Sequence, residues 1–228
     1  NGFLPATYHA SVLESKDPPL ANLRPVEKSP RLQALKTSLI HDLDEQTLQQ
    51  AGRLDALESA IANHELAARM QLTVPELLSL EGESAATKKL YGLDSDYEFT
   101  RGYAKQCLTA RRLAEKGVRF IQISHNGWDH HNHLREGITG RAASIDRPIA
   151  GLLADLKQRD MLRDTLILWG GEFGRSAYDD KGDGNGRGHN AKGFSMWLAG
   201  GGVKGGLRYG ATDETGTEAV AGKMTTHD

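Results

Sequence analysis

Thr165-Leu166-Ile167-Leu168-Trp169-Gly170-Gly171-Glu172-Phe173-Gly174-Arg175 is the stretch that decides the fold. Its first five residues are β-branched, aliphatic or aromatic, which is the composition of a buried strand, and the glycine pair then ends it. Working outward, Phe194 to Ala199 (FSMWLA) repeats that composition and stops at Gly200-Gly201-Gly202. Upstream, Val118 to Ser124 (VRFIQIS) reads as another strand. Helical patterns lie before these strands. One runs from about Tyr97 to Lys116, with Tyr103, Cys107, Ala110 and Leu113 inward and Gly117 just past its end. The other runs from about Leu134 to Arg159, with Pro148 predicting a kink or a restart near Asp146. Strands separated by helices predict an α/β domain with a mostly parallel sheet flanked by helices. In such sheets, ligands gather on loops just past the carboxy ends of strands. The polar, glycine-rich segments 125–133, 170–189 and 200–206 take that position.

Farther out the pattern is helical, then extended. Leu32, Leu35, Leu39, Leu43 and Leu48 fall near helical spacing from about Ser29. Leu54, Leu57, Ile61 and Ala68 form a second stripe ending near Gln71, with Gly52 between the two. Thr73 as cap and Val74-Pro75-Glu76 predict a short third helix. Glu81 to Asp96 is mixed, with a turn at Tyr91-Gly92. Pro5, Pro18, Pro19 and Pro25 keep residues 1–30 out of helix. The expectation is one domain over 1–228: an extended lead-in over 1–30, a mainly helical part over 31–116, and a sheet core with site loops over 117–228. The 228 residues suffice for one well-buried domain and do not require two.

Composition narrows the partners. With 38% hydrophobic and 25% charged residues, the chain has an ordinary globular make-up. A formal net charge of −2 provides no basic field for nucleic acid or anionic lipid, and no apolar run approaches the ~20 residues of a membrane span. Cys107, the one cysteine, excludes an intrachain disulfide and a cysteine-pair zinc site, and its helical position predicts core packing. The chain begins at Asn1 without a methionine and stops at Thr226-His227-Asp228, so the whole protein is expected to extend past both ends.

Histidine supplies the chemical signal. Four of the nine histidines lie in His125-Asn126-Gly127-Trp128-Asp129-His130-His131-Asn132-His133. Neutral imidazole plus carboxylate is a ligand set for zinc and similar ions. If a helix begins near Asp129, then Asp129 and His133, four apart, share a face and can share an ion. The alternative is a solvated turn in which Asp129 caps a helix. Glu172 and Arg175 follow a buried strand on a glycine loop. Glu172 could bind metal or act as a base, and the planar fork of Arg175 suits phosphate, sulfate or carboxylate. Alternatively the two pair only with each other and shape the loop. His189, in Gly184-Asn185-Gly186-Arg187-Gly188-His189-Asn190, is either a third ligand or a surface residue. His9, His41 and His64 carry no such pattern, and the Gly200 to Gly206 run lacks the lysine and helix of a phosphate loop.

The phrases CLTARRLAEKGVRFIQI, WDHHNHL, DRPIAGLLADLK, DTLILWGGEFGR and GFSMWLAGGGVKGG resemble the bacterial family called domain of unknown function 1501. The resemblance runs from GFLPATY to YGATDE. Many members are labelled sulfatase-like, and the family looks like a branch of the alkaline phosphatase superfamily. The resemblance implies one divalent ion held by an aspartate, a histidine four residues on and a later histidine, which Asp129, His133 and His189 match in order. A second ion is usually held by adjacent Asp-His. Here that place reads Glu172-Phe173, and phenylalanine cannot ligate. Arg187-Gly188-His189 stands where members have Arg-Asp-His. The superfamily's nucleophile would precede Asn1, so Cys107 and Ser195 are not cast in that role. The resemblance also implies an export signal, hence a periplasmic or secreted location.

The function that the ligand order and the resemblance together imply is a metal-dependent hydrolase of sulfate or phosphate esters. Its ion, whether zinc, manganese or calcium, would be held by Asp129, His133 and His189. Arg175 would grip the anionic ester, with Glu172 as second-site ligand or base. The alternatives are a non-catalytic metal- or ligand-binding protein on the same fold, and a structural domain with solvated histidines.

Overall fold

Ser29 sets the first regular element. Its Oγ accepts from the Leu32 backbone N at 3.4 Å, and Pro30 opens helix α1, Pro30–Ala51. Gly52, at φ 74°, ends it. Helix α2, Asp55–Leu78, follows, and His41 Nδ1 meets Glu65 Oε1 at 2.9 Å to tie the pair together. The computed structural model describes residues 11–14, 27–52, 54–179 and 184–225. Most of the predicted extended lead-in, and the side chain of Thr73, lie outside the described residues. The chain forms two compact units, parted between Gly82 and Glu83.

In the first unit the split at Gly52 is as the leucine stripes predict. The short third helix is not separate, because α2 runs unbroken through Pro75 to Leu78. A proline inside a helix loses one hydrogen bond and crowds the preceding turn. Here Val74 and Leu77, both buried, flank it and offset that cost. Helix α1 buries none of its own residues; Leu32, Leu35, Leu39 and Leu43 are each more than half exposed.

The second unit is held by three helices: α3, Ala85–Tyr91; α4, Glu98–Glu115; and α5, Leu134–Gln158. The residue pattern leaves 81–96 mixed, yet Ser84 caps α3 through its Oγ, and Gly92 ends it in the left-handed conformation at φ 90°. Helix α5 stays continuous through Pro148, which is fully buried. Gly151 lets α5 approach α3, since a Cβ there would lie 2.8 Å from the Leu90 carbonyl oxygen. Tyr91, Leu108, Leu156 and Cys107 fill the space between the helices. Burial pushes the Cys107 thiol up to about 12, which matches its predicted packing role.

A charged cluster is enclosed in the same core. Arg111, only 2% exposed, meets Glu83 at 2.7 Å, Glu115 at 2.6 Å and Asp155 at 3.0 Å. Tyr91 Oη donates to Asp155 at 2.9 Å, and Arg159 closes on both Asp155 and Glu115. Each carboxylate is thereby matched by a guanidinium, as buried charge requires.

The strands are short and pair antiparallel. Strand β1, Leu166–Trp169, pairs with β4, Trp197–Gly200, so that Leu166 faces Gly200 and Trp169 faces Trp197. Strand β2, Gly174–Arg175, pairs with β3, His189–Asn190, inside the excursion between them. Strand β5, Ala211–Thr212, pairs with β6, Ala219–Ala221. The mixed helix-and-strand character stands, but no parallel pair occurs among the described residues. Val118 to Ser124, predicted as a strand, forms no ladder among the described residues, and Phe120 is 91% exposed. Strand composition alone makes no strand; a second edge must supply the hydrogen bonds.

Candidate functional site

The helical register proposed for Asp129 and His133 fails for a local reason. Helix α5 starts at Leu134, and His133 sits just before it in the left-handed conformation, φ 49°, exposed and without a side-chain cap bond. Residues 125–133 form a non-helical loop, so side chains two apart share a side more readily than side chains four apart. His131 therefore joins Asp129, and His133 does not. The residue types pointed to this loop, but His131 becomes legible only once the helix start is placed after it.

Backbone contacts fix this loop against the segment carrying His189. Leu134 N donates to the Asn185 carbonyl at 3.0 Å, and Arg187 N donates to the His130 carbonyl at 3.0 Å. Gly186 lies so close that a Cβ would fall 2.0 Å from the His131 carbonyl oxygen. Behind them, Ser176 N donates to the Gly188 carbonyl at 3.0 Å, and Gly188 N donates to Ser176 Oγ at 2.9 Å. Asn190, buried at the end of β3, donates to the Gly193, Gly216 and Thr217 carbonyls. Ser176 and Asn190 carry no chemistry of their own, and nothing in the residue pattern singles them out. Their place in the site is mechanical.

The groups so delivered converge on one oxygen. His189 Nε2 lies 2.8 Å from Asp129 Oδ1, and His131 Nε2 lies 3.1 Å from the same atom. The two imidazole Nε2 atoms are 3.1 Å apart. Arg175, on β2, places Nη2 at 2.6 Å from Asp129 Oδ1 and 3.2 Å from the Trp128 carbonyl. Its Nη1 is buried without a hydrogen-bond partner among the described residues. Phe173 packs its ring 4.5 Å from the His189 ring, between strand and cluster. The His189 hydrogen bond, followed by that of Arg175, holds the Asp129 carboxyl down to about 2, against a small opposing effect of burial.

Asp129, His131 and His189 thus form a group of side chains that could hold a metal ion, one half-buried and two exposed. Of the residues predicted from sequence, Asp129, His189 and Arg175 come together. Glu172 is exposed and stands outside the group, and so does His133. Glu172 lies in a bend just before β2.

The donor set fits a divalent ion chemically. Two imidazoles and one carboxylate are ordinary zinc ligands, and three protein ligands leave a fourth position for another oxygen. Tetrahedral ligands at about 2.1 Å lie roughly 3.4 Å from one another. The observed separations of 2.8 to 3.1 Å would need to open by about 0.3 to 0.6 Å.

Among the described residues, no helix is long and apolar enough to cross a membrane. No curated protein and no solved structure matches the chain. The family described as protein of unknown function (DUF1501) matches residues 1–228, and the chain belongs to that family.

Proposed function

We propose that this chain carries the metal-binding and anion-holding part of a hydrolase of sulfate or phosphate esters, with Asp129, His131 and His189 as ligands of one divalent ion. The observation that carries the reading is the convergence of both Nε2 atoms on the single oxygen Asp129 Oδ1. A neutral imidazole has one N–H. If both rings turn N–H toward that oxygen they repel each other at 3.1 Å; if one turns a lone pair, it faces an anionic oxygen. A cation relieves either conflict. When bound, such an ion supplies Lewis-acid chemistry, polarising an ester oxygen or acidifying water.

The chain's own residues supply the rest. Asp129 stays ionised across the physiological range and presents a fixed negative charge to the ion. Arg175, anchored by Nη2 to Asp129 and the Trp128 carbonyl, holds its guanidinium charge beside the cluster, where it would attract a tetrahedral oxyanion. Phe173 limits how far the His189 ring can turn. The phrases resembling sulfatase-like proteins support the ester class, a relation to the parallel-sheet alkaline phosphatase architecture, and a periplasmic or secreted setting. Phe173, standing where a second ion's histidine would be expected, favours a second reading: a binding protein that keeps one ion and captures an anionic ligand without turning it over.

Elemental analysis after incubation with zinc, manganese or calcium tests the site. About one equivalent is expected in the wild type, lost in H131A and H189A and kept in H133A. A metal-free wild type would sink the proposal. Loss in H133A to the same degree as in H131A would restore the four-residue spacing instead. Turnover of aryl sulfates or aryl phosphates by metal-loaded protein separates the hydrolase from the binding protein.

A further inference from the structure

His125 stands four residues before Asp129 and is not among the ligand group. Its ring is held at both nitrogens. Trp128 Nε1 donates to His125 Nδ1 at 2.9 Å, and His125 Nε2 lies 3.0 Å from Ser144 Oγ. Ser144, only 1% exposed, donates that hydroxyl to the Arg141 carbonyl at 2.6 Å.

Each step in this chain has one solution. An indole nitrogen can only donate, so Nδ1 must accept. The neutral ring then carries its hydrogen on Nε2 and donates to Ser144 Oγ, whose own hydrogen goes to the carbonyl. A serine beside a histidine invites comparison with a nucleophile and its base, but the direction is wrong: His125 Nε2 donates its hydrogen bond to Ser144 Oγ and so cannot accept the hydroxyl proton there. What the chain does is fix Trp128. Trp128 in turn presents the carbonyl that accepts from Arg175 Nη2, and it is joined directly to Asp129.

We infer that His125 is a positioning residue for the Asp129–Arg175 site, acting through Trp128, and that it does so only while its ring is neutral. A protonated ring carries N–H at Nδ1 as well, pointing at the indole N–H. Two donors then face each other, and the Trp128 bond is lost. The surroundings agree in sign. Tyr103 of α4 turns a ring edge to His125 at 5.1 Å, and Arg141 of α5, bonded to the Gly127 carbonyl, is the charged group facing it. Burial first, and Arg141 second, hold the imidazole below its usual value of 6.5. The hold on Trp128 is thus complete at neutral pH and weakens as pH falls through the lowered value.

The tryptophans provide the readout. Trp128 lies edge-on to Trp169 at 6.3 Å, and Trp169 stacks beside Trp197 at 6.1 Å, so near-ultraviolet circular dichroism senses any shift of Trp128. The metal-free full chain, titrated between about pH 5 and 8, is expected to show a transition centred below 6.5. H125N, whose side-chain oxygen can accept the indole N–H but cannot titrate, should abolish the transition while keeping the neutral-pH spectrum. No transition in the wild type, or an unchanged one in H125N, overturns the inference. At a fixed pH near 8, H125L should weaken Zn2+ binding by roughly fivefold, and H125N should restore it to within about twofold. Equal weakening in both variants would make His125 merely structural. This zinc arm rests on the proposed function and the dichroism arm does not, so a wild type that titrates but binds no zinc would indict the metal reading alone.

Discussion

The helices of the second unit and the loops they carry hold their charges in opposite ways. In the core, Arg111 is enclosed and every carboxylate around it has a guanidinium partner. At the site, Asp129 is 61% exposed and yet collects two imidazoles and an arginine on one oxygen. A structural cluster balances its charges and seals them. A binding cluster leaves its balance to an incoming partner. Residue types alone do not distinguish the two; burial and stoichiometry do.

The sharpest way to break the contrast is to unbalance the core. R111A leaves Glu83 and Asp155 buried without their shared cation, and urea unfolding should show a loss of about 3–5 kcal/mol. A loss below about 1 kcal/mol would mean that the cluster is solvated after all. At the site the largest effect comes from loading. With zinc at about 100 times its dissociation constant, wild type and H133A should gain about 2.7 kcal/mol of stability, and H131A almost none. Equal gains in all three would place the ion elsewhere.

Acid reaches the core more gently. Burial raises the Glu83 carboxyl, but hydrogen bonds from Arg111 and Arg112 outweigh it and hold the group below its usual 4.5. A depressed carboxylate contributes stability that is present above its unfolded value and lost as pH falls through the folded one. Stability should therefore decline below about pH 4.5 with a shallower slope in E83Q, measured by denaturant titration at several pH values. An identical slope would remove Glu83 from the balance. The smallest effect is expected at Phe120, where F120S should change stability by less than about 0.5 kcal/mol, because 91% of the residue is already in solvent. A clear loss there would show that the 118–124 segment has a partner in solution.

How much of this is legible in sequence follows from the range of the forces involved. Ser29, Gly52 and Gly117 mark helix ends through contacts a few residues long, and they read correctly. Pro75 misleads, because burial of Val74 and Leu77 overrides a local penalty. The pairing of β1 with β4 is a long-range choice that composition does not encode. At the site, Asp129, His189 and Arg175 are legible as residue types on glycine-rich loops. His131 is not, since choosing it over His133 depends on where α5 begins. The family resemblance shares that limit: its four-residue spacing follows order along the chain, and the geometry picks the neighbour two residues away.

Gly186 gives the site one more property. A methyl group there would occupy the same space as the backbone of His131, which no side-chain rotation can vacate. The spacing between the two ligand-bearing loops is therefore set by an atom that is absent. Side chains around the cluster can be exchanged to tune the proposed site, and the loops will keep their distance. Substitution at this glycine instead forces the His131 backbone to shift, so an engineer would have many dials at the side chains here and a single fixed stop for reach.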